Sequence, residues 1–224
     1  MNKKRLKEGI SDEGTPDMKY YAFDWDDNIL EMPTQIILVD ETGSEVGMST
    51  EDFAHYRSKV GVEPFEYEGK KITGFAEEAF RNFQVGGDKR FLVDVMLAKE
   101  GPAWSDFVEC INGGSIFSII TARGHHPNTV KNAVYNMIVS DYKGINSKEL
   151  IKNLKKYRDF TGEDQLSDPE LIREYLNMCR FYPVSYGNES GASKPEELKI
   201  KAMEEFISYV KDLSKYLHKK ALFK

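Results

Sequence analysis

Three places in the sequence set chemically capable side chains just beyond an apolar run. The first is Phe23-Asp24-Trp25-Asp26-Asp27-Asn28, where acids crowd the end of the run Lys19–Trp25. Side chains of an extended segment alternate, so Asp24 and Asp26 share one side while Trp25 faces the other. Two carboxylates held that close raise each other's proton affinity unless a cation neutralises them. A hard divalent ion with oxygen ligands, Mg²⁺ above all, suits such a pair and also suits a phosphate oxygen. The plainer alternative is an acidic turn that merely ends a strand.

The second place is Thr121, which follows Ser115-Ile-Phe-Ser-Ile-Ile120 and precedes a helix opened by Pro127. A hydroxyl and backbone N–H groups at such a junction cradle a phosphate; the alternative is an ordinary cap. The third is Lys194, which precedes Pro195 at the mouth of another helix. A cation there opposes the helix dipole unless an anion or carboxylate fills the space between, and a solvated lysine is the alternative. Arg123 lies beside the phosphate cradle and suits a second phosphate, an acidic partner or a salt bridge within its loop. His125 and His126 face different ways at the start of the helix, and surface or capping roles are expected for both.

These groups need elements to hold them. Continuous apolar runs at Lys19–Trp25, Ser115–Ile120 and Phe181–Tyr186 read as buried parallel strands. Gln35–Asp40 and Glu45–Met48 flank Glu41-Thr-Gly-Ser44, a hairpin signal. A helix is expected to start at Ser49-Thr50-Glu51-Asp52, strand-like alternation follows over 60–73, and Phe75–Phe83 looks helical. Helices are expected at Lys89–Ala98, Trp104–Ile111, Pro127–Ser140 and within 147–179, the last broken near Gly162 and Pro169. From Pro195 an amphipathic helix carries Leu198, Ala202, Phe206 and Val210 at helical spacing. Strands separated by helices predict an α/β sandwich with a mainly parallel sheet, whose ligands gather beyond the carboxyl ends of the strands.

Acid pair, hydroxyl and lysine, in that order and each after an apolar strand, resemble the haloacid dehalogenase (HAD) superfamily. Phe23-Asp24-Trp25-Asp26-Asp27-Asn28-Ile29-Leu30 is similar to its first motif, Ile119-Ile120-Thr121-Ala122-Arg123-Gly124 to its second, and Lys194-Pro195 to its third. The resemblance implies a three-layer sandwich with a Rossmann-like sheet, a β-hairpin flap over 31–48 and one domain over 18–224, after an irregular segment at 1–17. The stretch 49–100 is expected to add a small helical lid. By resemblance, Asp24 is the nucleophile and forms an aspartyl-phosphate, and Asp26 protonates the leaving oxygen and later activates water. Mg²⁺ is held at Asp24 and Asp26, the latter through its main-chain carbonyl. Thr121, Ala122 and Lys194 hold the phosphoryl oxygens. The implied activity is a Mg²⁺-dependent phosphomonoester hydrolase. The alternatives are a non-catalytic phosphate-binding or scaffold protein and a polynucleotide-end phosphatase.

Two departures qualify the match. Asn28 stands where the family has threonine or valine. No acid-bearing strand follows the helix after Lys194, where the family completes its metal site and covers the edge of the first strand. The expectation is therefore a missing C-terminal piece, or an apolar edge covered by a partner chain, self-association included, or by a local rearrangement.

Composition narrows the class. The 224 residues carry 37 acidic and 31 basic side chains, a formal net charge of −6 that disfavours a general nucleic-acid coat. No apolar run approaches the roughly 20 residues of a membrane helix, and the charged start Met1–Glu8 lacks the core of a signal peptide. Cys110 and Cys179 form no disulfide framework and read as small buried hydrophobes. A cytoplasmic protein acting on a phosphorylated substrate is the expectation.

Overall fold

The computed structural model describes residues 20–158, 166–188 and 193–222, and of the side chains in these ranges those of 156–158 and 216–222 are left aside. Lys19, the irregular segment 1–17 and the break near Gly162 lie outside the described residues. In chain order the first half contains β1 (Tyr20–Phe23), β2 (Leu30–Glu31), β3 (Ile36–Asp40), β4 (Glu45–Met48), α1 (Thr50–Tyr56), β5 (Phe65–Tyr67), β6 (Lys70–Phe75) and α2 (Asp88–Leu97). The second half contains β7 (Lys99–Glu100), α3 (Trp104–Asn112), β8 (Ile116–Thr121), α4 (Pro127–Val139), α5 (Ser147–Arg158), α6 (Asp168–Met178), β9 (Arg180–Pro183) and α7 (Pro195–Leu222).

The chain is mixed α/β, and its three apolar runs form one three-stranded sheet in the order β1-β8-β9. Both pairings are parallel, with Phe23 opposite Ile119 and Thr121 opposite Pro183. Alternation sorts the side chains onto two faces. Tyr20 and Ile116 pack with Phe206 and Val210 of α7. Tyr21, Phe23, Phe117 and Ile119 join a larger cluster with residues of α2, α3, α4, α5 and α6. Because both faces are covered, every residue of β8 is buried, which is why its sequence is an unbroken apolar run. Phe117 is the hub of the larger cluster: its ring meets Phe107, Tyr175 and Phe181 edge-on at 5.8, 6.2 and 5.8 Å.

Local chemistry sets the ends of the helices. Pro127 occupies the first turn of α4, and the His126 ring accepts the Asn128 N–H as its cap. Ser167 and Glu170 form a capping box at the start of α6. Two of the three strands, β1 and β9, end earlier than their apolar runs. β1 stops at Phe23 because the Asp24 carboxylate takes the Trp25 N–H and the chain turns, the Trp25 carbonyl accepting from Ile29 and Leu30. β9 stops at Pro183, whose carbonyl accepts the Tyr186 N–H in a turn.

The stretch 49–100 is not a purely helical lid: two strands, β5 and β6, lie between α1 and α2. The expected hairpin Gln35–Met48 forms, but β5 and β6 add to it, giving a four-stranded antiparallel sheet in the order β4-β3-β6-β5. Ile36, Leu38, Val46, Met48, Phe65 and Ile72 make a separate core there, and Phe53 and Tyr56 of α1 lie against it. The helical reading of Phe75–Phe83 fails for a local reason. Phe75 ends β6, and Glu78 adopts a left-handed φ of 53°, which a helix does not admit. Only Arg81–Phe83 makes a single 3-10 turn.

A small antiparallel ladder, β2 with β7, anchors the loop after the acids. Gly101 passes so close that a Cβ there would lie 2.5 Å from the Asn28 carbonyl oxygen. Its N–H bonds to Ile29 and that of Ala103 to Asn28, which pins the loop. Replacing Phe117 with Ala should cost about 3–5 kcal/mol, seen as a fall in thermal midpoint of roughly 6–20 °C. A shift of under about 2 °C would show that Phe117 is not the centre of this core.

Candidate functional site

The parallel register brings the end of β1 beside the end of β8, and the site grows from that adjacency. Asp24 continues the face that α7 covers. Its Oδ2 accepts from Lys199 Nζ at 2.6 Å, and its Oδ1 accepts the Trp25 N–H at 2.8 Å. Burial raises the Asp24 carboxyl above its usual range, Lys199 opposes that, and the neighbouring Asp26 adds to it. Trp25, fully buried, points into the main core against Phe91 at 5.6 Å.

Asp26 is clamped from the other strand. Arg123 donates from Nε to both carboxylate oxygens, at 3.2 and 3.0 Å, and from Nη2 to Oδ1 at 2.7 Å. The guanidinium is only 1% exposed and lies between the rings of Phe83 and Phe91, 4.7 and 4.9 Å from their centroids. Nη2 also donates to Thr34 Oγ1 at 3.1 Å, and Thr34 in turn donates to Asp94 Oδ2 at 2.8 Å. Asp94, fully buried on α2, is neutralised by Arg90 at 2.7 Å. A chain of charge-assisted bonds thus runs from an exposed arginine on α2 to the second acid of the motif.

The remaining expected residues divide. Thr121 is fully buried; its hydroxyl donates to Asp26 Oδ2 at 3.4 Å and accepts the Arg123 N–H at 3.3 Å, which places it beside the acids. Ala122 is exposed at the strand end. Arg123 takes an acidic partner, but that partner is Asp26 of this chain and not one within its loop. Asp27 leaves the pair: it turns to a left-handed φ of 55° and accepts from Thr50 of α1 at 3.1 Å. Lys194 is exposed, and its carbonyl caps α7 by accepting from Glu197 and Leu198. The lysine that reaches Asp24 is Lys199. It sits three residues before Ala202, in line with the buried stripe Ala202, Phe206 and Val210. A lysine on a helix's buried stripe was the legible signal for it.

His126 caps its helix, but His125 is not a surface residue. It is fully buried and stacks on Phe91 at 4.6 Å, with neither ring nitrogen hydrogen-bonded among the described residues. Burial, reinforced by the nearby Arg123, lowers its pKa to about 4. Cys110 and Cys179 are free and buried, and burial raises both thiols.

The donor set decides what an ion would find here. Each Asp24 oxygen accepts one N–H donor and keeps capacity for another partner. Both Asp26 side-chain oxygens are committed to Arg123, so the Asp26 carboxylate is no ligand in this arrangement. Among the described residues no group of three or more His, Cys, Asp or Glu side chains converges as an all-protein cage. Mg²⁺ does not require one, since it binds through one or two carboxylates with water and substrate phosphate. Asp24 fits that role.

No protein-family model, no curated protein and no solved structure matches this chain. The resemblance to the HAD superfamily rests on the residues themselves. Among the described residues no helix is long and apolar enough to cross a membrane.

The buried imidazole yields a pH signature. With the folded pKa at about 4 against an ordinary 6.5, the unfolded chain binds the proton first as pH falls. Stability is therefore full above pH 6.5 and declines toward pH 4. His125→Phe should remove this contribution, so its stability relative to the native chain should rise by on the order of 3 kcal/mol between those limits. Urea midpoints at several pH values measure it, and a pH-independent difference would show that His125 titrates normally.

Proposed function

We propose that this chain is a Mg²⁺-dependent phosphomonoester hydrolase working through an aspartyl-phosphate on Asp24, in an HAD-like, three-layer α/β domain with a Rossmann-like sheet. The observation that carries the reading is convergence. Asp24, Asp26 and Thr121 lie at the ends of adjacent parallel strands, and Lys199 from a third element touches Asp24 at 2.6 Å. Ligand sites in open α/β sheets form at this end. The two hydrophobic clusters on opposite faces of the sheet support the layered architecture. The free, buried cysteines fit a reducing, cytoplasmic setting.

In this reading the Asp24 carboxylate, aimed by Lys199 and the Trp25 N–H, attacks phosphorus while the bond to the leaving oxygen breaks. Burial disfavours its charge, so bond formation relieves a cost already present in the resting site. Lys199, the Thr121 hydroxyl and the Ala122 N–H face charge that develops on the phosphoryl oxygens. Mg²⁺ bound at Asp24 would supply Lewis-acid neutralisation of that group. Asp26, set two residues on and held by Arg123, is the group placed to manage the protons of the leaving oxygen and of water.

One observation favours a second reading, a phosphate-binding protein without turnover: Arg123 engages both oxygens of Asp26. That reading requires phosphate binding with no adduct on Asp24.

Turnover of an aryl phosphate with Mg²⁺ separates the two. The native chain should hydrolyse it, and acid-quenched samples should carry a phosphoryl group on the peptide containing Asp24. Asp24→Asn should abolish both signals. The same variant should melt higher at neutral pH, because the ionised carboxylate is penalised in the fold; the gain should fade as pH falls toward 3.8, the ordinary value. Normal turnover by Asp24→Asn would end the assignment. Lys199→Met should lower kcat/KM by about 10²–10³, whereas Lys194→Met should leave it near native. The reverse ranking would restore Lys194 as the phosphate-site lysine.

A further inference from the structure

The rim of the flap carries a run of phenylalanines that its own core covers only in part: Phe53 and Phe83 pack against that core, and Phe75 and Phe80 do not. Phe75 and Phe80 are 42% and 43% exposed, while Phe53 and Phe83 are half-buried. Their rings touch in sequence: Phe53 meets Phe75 at 6.0 Å and Phe80 at 5.8 Å, Phe75 meets Phe80 at 5.8 Å, and Phe80 meets Phe83 at 6.3 Å. Contiguous exposed aromatic surface of this kind marks a binding surface more often than a solvated one. This fringe is continuous with the site. Phe83 lies under the guanidinium of Arg123 at 4.7 Å, and Arg123 holds Asp26. The helix that brings Phe53 also brings Thr50 to Asp27, so both ends of the fringe meet the loops after β1 and β8.

We infer that this fringe seats a flat aromatic ring carried by the substrate, a nucleobase or an aryl group, while its phosphate lies against Asp24, Lys199 and Thr121. The inference rests on the phosphoryl-transfer reading and adds the substrate class: a phosphomonoester with a planar ring near its phosphorus. Phenylalanine faces stack on any flat ring and offer no hydrogen bond, so the fringe selects flatness and leaves the identity of the ring to other contacts. An aliphatic phosphate would bury no ring there.

Calorimetric titration of the Asp24→Asn chain tests this without relying on turnover. The probes are adenosine 5′-monophosphate, phenyl phosphate, glycerol phosphate and inorganic phosphate. The two ring-bearing phosphates should bind about tenfold tighter than glycerol phosphate. Adding Phe80→Ser should erase that advantage and leave the inorganic phosphate Kd where it was. A preference for the nucleotide over phenyl phosphate would make the ring a base, and the opposite preference an aryl ester. Equal binding of ring-bearing and glycerol phosphates, or an equal loss for all four probes on Phe80→Ser, would overturn the platform alone while hydrolysis by the native chain continued. Binding of none of the four, with no hydrolysis by the native chain, would remove the phosphate site and the platform with it.

Discussion

The pairing of Arg123 with Asp26 joins the parts of this structure that matter for chemistry. It links the end of β8 to the end of β1, and through Thr34 and Asp94 it reaches α2. An arginine buried to 1% exposure is costly unless its charge is matched and its plane is covered. Here a carboxylate matches it and two phenylalanine rings cover it. Removing one partner of such a pair leaves an unpaired buried charge, at a cost of about 3–5 kcal/mol. The geometry of the acid motif is thus inseparable from the packing of the rings around it.

Asp24 stands in contrast two residues earlier. Its counter-ion, Lys199, is partly solvated and comes from a helix that packs on the opposite face of the sheet from the main core. The turn that follows β1, and not the alternation of the strand, therefore sends one acid toward a desolvated clamp and leaves the other facing an accessible cation. Such a division suits a site in which one carboxylate keeps its geometry while the other exchanges partners.

Much of this was legible in the residues. Runs such as Ser115–Ile120 can be continuous only if both faces are covered, and the strand they form is buried throughout. Asp24, Asp26 and Thr121 were legible as a site because each follows such a run, and a parallel sheet aligns those ends. Lys199 is less legible than Lys194, which stands next to Pro195 at the helix mouth, although Lys199 shares the buried stripe. The pairing of Arg123 with Asp26 spans 97 residues, and no local pattern announces a contact of that kind. The insertion was misread because phenylalanines at 75, 80 and 83 mimic a helical face, whereas a left-handed Glu78 interrupts any helix there.

The flap has its own hydrophobic core, distinct from the one beneath the parallel sheet. Two crossings of the chain carry it, one between β2 and β3 and the other between β6 and α2. In evolutionary terms this separates two kinds of change. Residues under α1 can be exchanged, and the flap lengthened or re-faced, without disturbing the buried strand whose end presents Thr121. Descendants of such a chain would diverge first in the flap and last at the strand ends beneath it.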